Sequence, residues 1–350
     1  MNNTNESIPL FFAALNPYLE RNIVLPTESD IKTQKFVEFG DNNAYPSYIW
    51  DLYSSVATLQ SIINGTTDYI CGDEVKSNID GLSDREAKQL VYDIAQDLLI
   101  YGGTYLQCRR NMLGDICKVD TVDFRNMRTN KDNDQFFYSD DFSNGKSYGR
   151  CKMHVYPSFN NEPISIYYSK NSKHQTYPIP VWSSAVIPAE IEKNINLYHL
   201  NSLENGFMGQ TVVSFNNGMP TDEIRQEIEE AFREKYTGYQ NGGRVLVNFA
   251  EDIDHSVDIK QIQTEDFGNK YQSLAERSQQ QLFVAFRATP NLFGLPNQTT
   301  GFNSQEYGDS FKLYNKTVVK PLQDKIIGII SDIYGQENAI EITPFNINFE

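Results

Sequence analysis

A helical pattern near the C-terminus with a proline in its interior constrains the fold more than any other feature. The pattern begins at Ser304, a good helix-capping residue, and continues to residue 334. Proline has no backbone N–H and its ring clashes with the preceding turn, so Pro321 is expected to kink the helix. The sequence therefore predicts one long, kinked helix in this part of the chain.

The residues before this helix predict two more long helices with an insertion between them. Apolar residues at helical spacing indicate a helix over residues 191–208 and another over 264–288. Between them, residues 212–250 predict two strands that flank a highly charged helix. A loop with two prolines and two glycines, 289–303, then leads to the kinked helix, and loops of about this length are usually functional or mobile.

The N-terminal half predicts helices followed by β structure. Apolar spacing indicates a helix over residues 46–70, which Gly65 would end or loosen. A second helix begins at a capping box formed by Ser83 and Glu86. A hairpin and short antiparallel strands follow between residues 104 and 185, in a loop-rich region.

Charge and cysteine content narrow the classes of function. The chain has 350 residues, with 30 Lys+Arg against 46 Asp+Glu and a formal net charge of −16. A diffuse basic surface that grips nucleic acid or anionic lipid is therefore not expected, although an acidic surface suits a protein past which nucleic acid slides. Four scattered cysteines indicate buried free thiols in a reducing cytoplasm. No apolar stretch reaches the roughly 18 residues of a membrane helix.

The sequence contains no complete catalytic or metal-binding motif. Residues 144–147 (NGKS) lack the first glycine of a phosphate-binding loop, and neither HExxH nor GxSxG occurs. The acidic loop 132–141 lacks the glycine and glutamate of a calcium loop. Asp252, Asp254 and Asp258 could bind Mg²⁺ as nuclease carboxylates do, but a polar strand edge or loop is the favoured interpretation. We therefore expect no enzyme, no cofactor and no metal site.

Several short runs follow one another in a fixed order. They are Phe286–Gly294 (FRATPNLFG), Asn303–Glu306 (NSQE), Phe311 and Pro321. This series resembles the portal proteins of tailed bacteriophages, the head-to-tail connectors, whose runs read F-G-V-P-P-x-L-L-G, N-x-E and F-x(n)-I-x-P. The positions of the first run that match are Phe286, Pro290, Leu292 and Gly294, and those that depart are Arg287, Ala288 and Asn291.

Upstream segments extend the resemblance over residues 40–345. Residues 97–116 (DLLIYGGTYLQCRRNMLGDI) are similar to the family's D-L-L-x-x-G-N-A-Y-L-x-x-x-R-x-x-x-G-x-I. Phe215–Gly218, the charged helix of 221–232 and Gly242–Val247 look like the segments that lead into and out of the family's clip. No single motif is highly specific, and the order of the series carries the resemblance.

The resemblance implies an α+β, portal-like fold. Its parts would be an α/β wing, a two-helix stem, a small α/β clip insertion, a tunnel loop and a long proline-kinked helix, with little or no crown. The implied segments are an N-terminal wing (1–190), a stem helix (191–208), the clip (209–263), a second stem helix (264–288), the tunnel loop (289–303), the kinked tunnel helix (304–334) and a C-terminal wing strand (335–350).

The same resemblance implies a structural, non-enzymatic ring at one capsid vertex, through which DNA is packaged and ejected. The ring would be a homo-oligomer, expected to be a dodecamer, that contacts double-stranded DNA without sequence specificity. The terminase large subunit would dock on the clip, followed by head-completion or neck proteins, and the major capsid protein would surround the ring. The protein would be made in the host bacterial cytoplasm and located in the virion, with no membrane partner.

Three groups of residues would carry this function. In the tunnel loop they are Asn291, Phe293, Gly294, Pro296, Gln298, Thr300 and Phe302. On the tunnel helix they are Lys312, Lys316, Lys320 and Pro321, and on the clip they are Asp222, Glu223, Glu227, Glu230 and Glu234. The lysines could offer weak phosphate contacts, or could form a solvated face or pair with a neighbour's carboxylates. The tunnel loop could be a mobile gate or an ordinary surface loop. The acidic residues of the clip could dock a partner or form a solvated helix face.

Two other functions are alternatives. The first is a metal-dependent cytosolic hydrolase or nuclease that uses Asp252, Asp254 or the loop 132–141. The second is another phage ring component, such as an adaptor or neck protein. Those proteins are usually much smaller, so the length of this chain counts against that class.

Overall fold

The computed structural model describes residues 23–30, 35–142, 153–173, 175–204, 211–215, 245–249, 267–294 and 304–345. The chain divides into two compact units. The smaller unit comprises residues 1–23 and 194–269, and the larger unit comprises residues 24–193 and 270–350. The assignment of these segments to a wing, stem, clip and tunnel remains a prediction.

Strands and helices occur mostly in separate runs in the described residues, as is typical of an α+β fold. The helices are Tyr45–Ser55 (α1), Ala57–Cys71 (α2), Asp84–Ile100 (α3), Val186–Glu204 (α4), Phe267–Ala285 (α5), Ser304–Tyr314 (α6) and Lys320–Tyr334 (α7). A π-helical segment, Asn315–Val319, joins α6 to α7, and a 3-10 turn, Pro290–Phe293, precedes α6. The predicted helix starting at Ser304 is confirmed.

The strands form small sheets. They are Glu28–Ser29 (β1), Glu38–Phe39 (β2), Glu74–Ser77 (β3), Gly103–Arg110 (β4), Ile116–Thr121 (β5), Met127–Thr129 (β6), Gln135–Tyr138 (β7), His154–Pro157 (β8), Ile164–Lys170 (β9), Thr211–Phe215 (β10), Val245–Phe249 (β11) and Ile340–Thr343 (β12). In the larger unit the orders are β5-β4-β9, β6-β7-β8, β12-β3 and β1-β2, all antiparallel. The predicted hairpin is β4–β5, and the C-terminal strand pairs with β3.

The predicted helix over residues 46–70 is two helices, and Gly65 does not end it. The backbone of Val56 is extended, with φ −108° and ψ 106°, so α1 ends and α2 begins there. Gly65 lies inside α2, where a Cβ atom would come within 2.9 Å of the ring of Phe293. The glycine therefore permits close packing, a requirement that is invisible in the local sequence.

The capping box at the start of α3 is confirmed. The Ser83 hydroxyl accepts the backbone N–H of Glu86, and the Glu86 carboxylate accepts the backbone N–H of Ser83 at 3.0 Å. Gly102 follows the helix with φ 84° and lets the chain turn into β4. A side chain there would meet the carbonyl oxygen of Ile179 at 2.5 Å, so the turn is closely covered.

The core of the larger unit is one continuous apolar cluster. It includes the inward faces of α2, α3 and α7 and the side of β4 that carries Leu106 and Cys108. Trp182 is fully buried in this cluster, and its indole N–H donates to the carbonyl of Leu99 at 3.0 Å. The bond satisfies one of the carbonyls that the last turn of α3 leaves without a helical partner. Trp182 thus joins α3 to the start of α4.

Asp97, in the last turn of α3, predicts a pH dependence of stability. Desolvation, with smaller contributions from Asp93 and Asp123, raises the pKa of this carboxyl to about 8, although the hydroxyl of Thr104 donates to it at 2.8 Å. Between about pH 4 and about pH 8 the folded state keeps a proton on Asp97 that the unfolded state has released. The free energy of unfolding therefore falls as the pH rises through this range.

The variant Asp97→Asn is neutral at every pH and keeps an acceptor for Thr104. We expect the difference between its melting temperature and that of the parent to grow from about pH 4 to about pH 8, where the parent carboxyl ionises, and then to level off. Scanning calorimetry of both proteins from pH 4 to pH 9 measures the difference. A constant difference across this range would contradict the assigned pKa.

In the smaller unit the described residues include one parallel strand pair. β10 and β11 pair from Thr211 with Val245 to Phe215 with Phe249. Parallel strands need a crossover connection, and the chain between residues 216 and 244 is long enough for one. The two strands predicted around residues 212–250 are confirmed, whereas the charged helix predicted between them lies outside the described residues.

The irregularity predicted at Pro321 is a π-helical segment just before it. Pro321 occupies the first turn of α7, where its missing N–H breaks no helical bond of α7 itself. The preceding residues, Asn315–Val319, adopt the wider π pattern, which is a recognised way to accommodate a break in a helix. The Thr317 hydroxyl donates to the carbonyl of Leu313 at 2.8 Å.

Two further findings concern the described part of the chain. None of its helices combines the length and the apolar character needed to cross a membrane. Its three cysteines are free thiols, of which Cys71 and Cys108 are buried as predicted, whereas Cys117 is exposed and the prediction of burial is wrong there.

Candidate functional site

The run FRATPNLFG follows the end of α5 and contains a 3-10 turn. The turn is Pro290–Phe293, and Gly294 ends it in the left-handed region with φ 86° and ψ 6°. Glycine is favoured at such a position because it has no Cβ. The carbonyl of Leu292 accepts a hydrogen bond from the Tyr69 hydroxyl at 2.9 Å, so the turn is tied to α2.

The ring of Phe293 packs into an aromatic cluster. Its centroid lies 6.0 Å from that of Tyr69, 6.0 Å from that of Phe283 and 5.8 Å from that of Tyr314. The rings of Tyr69 and Tyr314 meet it edge to face, the geometry that aromatic quadrupoles favour. Gly65 of α2 leaves the space that one side of the Phe293 ring occupies.

Tyr69 also connects the turn to α6 and to the end of the chain. Its ring lies 5.5 Å from that of Phe311 and 6.0 Å from that of Phe345. Burial is the main cause that raises the pKa of its hydroxyl above the ordinary value, so Tyr69 stays neutral and donates to Leu292. One side chain of α2 therefore contacts three segments that are distant in sequence.

A second polar contact joins α2 to α6. The hydroxyls of Thr66 and Tyr314 are 2.7 Å apart, and that of Thr66 also lies 2.7 Å from the carbonyl of Ile62. Because a hydroxyl has one proton and Ile62 takes that of Thr66, Tyr314 donates to Thr66. Burial raises the pKa of Tyr314 to about 12, which keeps the donor protonated.

The predicted tunnel-loop residues are described only in part. Asn291, Phe293 and Gly294 belong to the turn that packs on α2, and Phe293 is half-buried there. The Asn291 side-chain oxygen is buried and has no hydrogen-bond partner among the described residues. The other predicted residues, Pro296, Gln298, Thr300 and Phe302, lie outside the described residues. A loop that projects from this turn into a channel stays a prediction.

The three lysines predicted on the tunnel helix are exposed. Lys312 lies 3.7 Å from the Asp309 carboxylate, and Lys320 lies 3.0 Å from that of Asp324. These side chains are more than half exposed, so the ion pairs are worth little and leave the ammonium groups accessible. Lys316 lies in the π segment, which changes the rotation per residue, so ideal α-helical spacing does not relate it to the others.

The predicted clip acids, Asp222, Glu223, Glu227, Glu230 and Glu234, lie outside the described residues, as do Asp252, Asp254 and Asp258. In the loop 132–141, Asp134 accepts from the Asn130 side chain and Asp140 accepts from the Tyr138 hydroxyl at 3.1 Å. The described ranges contain no group of three or more His, Cys, Asp or Glu side chains arranged to hold a metal ion.

Gly65, Thr66 and Tyr69 were missed as site residues. Gly65 and Tyr69 are four residues apart on α2, so they share a face of the helix. A glycine inside a helical pattern is the one local signal at this place, and by itself it does not distinguish the end of a helix from close packing. The partner of that face is more than 200 residues away in sequence, and only the folded chain brings it there.

Comparisons with known proteins were made at the levels of family, sequence and structure. No protein-family model matches the chain. An uncharacterized protein of Rickettsia bellii (strain RML369-C) is 24% identical over 169 residues, which are 48% of this chain and 42% of that protein. An uncharacterized protein of Rickettsia felis (strain ATCC VR-1525 / URRWXCal2) is 26% identical over 163 residues, 45% of this chain and 40% of that protein. The match thus covers less than half of these curated relatives.

Solved structures match over most of the chain. A chain of the virion of a native gene transfer agent (GTA) particle gives a TM-score of 0.54 at 15% identity, covering 86% of this chain and 83% of that chain. A chain from the neck of an empty GTA particle, computed with C6 symmetry, gives 0.51 at 14% identity, with 85% and 83% covered. A crystal structure of an HK97-family phage portal protein from Corynebacterium diphtheriae gives 0.44 at 12% identity, with 83% and 92% covered.

The two structures with TM-scores above 0.5 establish the fold. The α+β class predicted from the sequence is confirmed. The chain has the fold of a protein that is found in the virion and neck of gene transfer agent particles.

Proposed function

We propose that this chain is the portal subunit of a phage-like particle. It forms a ring-shaped channel at one capsid vertex, through which DNA is packaged and later ejected. The observation that carries the proposal is the shared fold with a virion protein over 86% of this chain and 83% of that chain. A structural match at 15% sequence identity shows a shared fold but does not establish a shared function, so the proposal needs a direct test.

The physical character of the chain supports a structural role. A net charge of −16 makes a ring of such subunits strongly acidic, and such a surface lets DNA pass without tight binding. The run FRATPNLFG contains a turn that packs on α2, and the turn itself has no catalytic arrangement of side chains. The subunit therefore acts as a conduit, and a separate motor supplies the energy.

The proposed assembly is a homo-oligomeric ring, expected to be a dodecamer. The terminase large subunit docks on the clip during packaging, at the acidic residues Asp222, Glu223, Glu227, Glu230 and Glu234. Head-completion or neck proteins occupy that end later, and the major capsid protein surrounds the ring. The protein is made in the host bacterial cytoplasm and ends in the virion.

The channel is lined by the segment between the turn and α7. The residues after Gly294, including Pro296, Gln298, Thr300 and Phe302, form the tunnel loop. The anchor between Tyr69 and Leu292 fixes where this loop begins. Lys312, Lys316 and Lys320 give weak contacts to passing phosphates, and their exposure supports this role.

The size of the purified full-length protein tests the proposal. Native mass spectrometry and negative-stain electron microscopy of one sample are expected to give rings close to a dodecamer with a central hole. Because ring formation is concentration-dependent, the sample is measured over a dilution series and after co-expression with the capsid protein of the same particle. A monomer under all these conditions would overturn the proposal, and hydrolysis of DNA with Mg²⁺ by that monomer would favour the nuclease alternative.

The lysines give a quantitative prediction. In assembled rings, the triple variant Lys312→Gln, Lys316→Gln, Lys320→Gln is expected to reduce the salt dependence of DNA retention, by about one unit of slope for each phosphate that a lysine no longer neutralises. Its stability is expected to stay within about 0.5 kcal/mol of the parent because all three side chains are exposed. DNA retention measured between low and physiological salt gives the slope.

A matched control changes three exposed lysines elsewhere, Lys76, Lys88 and Lys131, to glutamine. It removes the same charge and is expected to leave the slope unchanged. Equal slopes for the two triple variants would contradict a channel position for α6 and α7.

A further inference from the structure

The first two turns of α4 are buried without a single apolar stripe. The buried residues of this stretch are three apolar and three charged ones, namely Val186, Pro188, Ala189, Glu190, Glu192 and Lys193. At about 100° per residue these positions point to several sides of the helix. Apolar patterning therefore does not select one rotation of α4 about its axis, which leaves that choice to polar contacts.

The first turn of α2 has no capping side chain of its own. Its N-cap residue, Val56, offers no side-chain acceptor, and the first helical bond runs from the N–H of Gln60 to the carbonyl of Val56 at 3.0 Å. The N–H groups of residues 57–59 therefore lack helical acceptors, and the positive end of the α2 dipole lies at the same place. The break between α1 and α2 thus presents donors to the side chains that pack on it.

Glu192 of α4 supplies an acceptor for this turn. Its Oε1 accepts the hydroxyl of Thr58 at 2.9 Å and the N–H of Thr58 at 3.4 Å, and the residue is 5% exposed. Burial raises the pKa of this carboxyl above its ordinary value, although the two donors of Thr58 lower it. Its Oε2 is buried and has no hydrogen-bond partner among the described residues. An anion buried with one unpaired oxygen costs stability, so stability alone does not explain its presence.

Lys193, the next residue, contacts the helix on the other side of the break. Its ammonium group forms an ion pair with the carboxylate of Asp51 in α1. The lysine side chain is 6% exposed and that of Asp51 55%, so the stem is buried and its charged end reaches a partner that faces solvent. Two adjacent residues of α4 therefore meet α1 and α2, on either side of Val56, with opposite charges.

We propose that Glu192 and Lys193 are positioning residues that fix the rotation of α4 on the break between α1 and α2. The order of the two charges carries the information. A rotation by one residue would bring the Lys193 ammonium to the Thr58 donors, which repel it, and would leave Asp51 without its cation. Buried charges often add little stability, but they disfavour arrangements in which they are unpaired. The inference concerns the single chain and goes beyond the proposed ring.

Thiol reactivity at two positions of α4 reports its rotation. Ala189 is fully buried and Ile187 is 58% exposed. At about 100° per residue they lie on nearly opposite sides of the helix. The variants Ala189→Cys and Ile187→Cys are made singly in a full-length chain with Cys117→Ser and Cys151→Ser, and are labelled with a maleimide in dilute, monomeric solution. With both charges intact, the thiol at residue 187 is expected to react readily and the thiol at residue 189 to be protected.

Removing the cation is expected to turn the helix. Lys193→Met keeps the volume of the buried stem and loses its charge, so the fold is retained. We expect the thiol at residue 189 to react at least about tenfold faster and the thiol at residue 187 to react more slowly, since each rate follows the population in which that side is exposed. The midpoint of urea unfolding is expected to stay close to the parent value.

Exchanging the two charges tests their order directly. Glu192→Lys, Lys193→Glu keeps the composition and the net charge, and we expect the same reciprocal change in the two rates. Adding Asp51→Lys and Thr58→Asp reverses the partners as well and is expected to restore the parent pattern, because a carboxylate in the first turn of α2 also suits the helix dipole. Failure of this rescue would show that the order of the charges does not position α4.

Lys76→Met is the matched control, because it removes the lysine of an exposed ion pair with Glu74. It is expected to change neither rate. Unchanged rates in Lys193→Met would overturn the inference, and so would a faster reaction at both positions, which indicates a loosened helix and not a rotated one. None of these outcomes depends on whether the chain assembles into a ring, so the portal proposal is tested separately.

Discussion

The variant Gly65→Leu is expected to destabilise the larger unit by about 1–3 kcal/mol, although leucine is the better helix former. A Cβ at residue 65 would lie 2.9 Å from two carbon atoms of the Phe293 ring, so a longer side chain must displace that ring. The displaced ring is part of the turn that begins the proposed tunnel loop. Urea unfolding of the monomer gives the free energy, and the assembled particle gives the effect on DNA packaging.

Gly328 supplies the control for this prediction. It is also inside a helix, α7, but a Cβ there would meet no atom within 4 Å. Gly328→Leu is therefore expected to be neutral or stabilising by up to about 1 kcal/mol. Removing the obstacle in Gly65→Leu, Phe293→Ala is expected to recover part of the loss, with a coupling of at least about 0.5 kcal/mol between the sites. Simple additivity of the two single variants would contradict the contact.

The variant Trp182→Ala is expected to cost about 3–5 kcal/mol, enough to threaten the folding of a typical domain. Trp182 is fully buried, stacks near Phe286 with 6.5 Å between centroids, and bonds to the carbonyl of Leu99. Its removal leaves a large cavity and an unsatisfied carbonyl at the end of α3. The midpoint of chemical unfolding measures the loss.

The variant Trp182→Phe separates packing from hydrogen bonding. It keeps most of the ring and removes only the N–H donor, so a smaller loss of about 1–3 kcal/mol is expected for the unpaired carbonyl of Leu99. The neighbouring Val181→Ala, at an exposed position, is expected to stay within about 0.5 kcal/mol. If Trp182→Phe matched the parent, the bond to Leu99 would have no energetic role.

Short sequence patterns were sufficient to predict structural features that depend on only a few neighbouring residues. The capping box of Ser83 and Glu86, the β4–β5 hairpin, and the helix that starts at Ser304 all follow from short patterns. The order of motifs around Phe286–Gly294 also indicated the fold that the structural neighbours share. These features depend on hydrogen bonds and periodicity that a short peptide already encodes.

Short sequence patterns gave wrong or no predictions where the role of a residue depends on a partner that is distant in sequence. A glycine in a helical pattern was expected to end or loosen the helix, but Gly65 instead makes room for Phe293. The irregularity predicted at Pro321 takes the form of a π segment, Asn315–Val319, which precedes the proline. Tyr69, which carried no sequence signal, anchors the turn that the motif forms.

The sequence alone determined the fold class, the helix caps, the turn signals and the strongly acidic character of the chain, because these depend on neighbouring residues and on composition. Only the tertiary structure decided which residues surround Phe293 and why a glycine stands at residue 65. The physical reason is that burial and close contact depend on the whole chain, since they join side chains more than 200 residues apart.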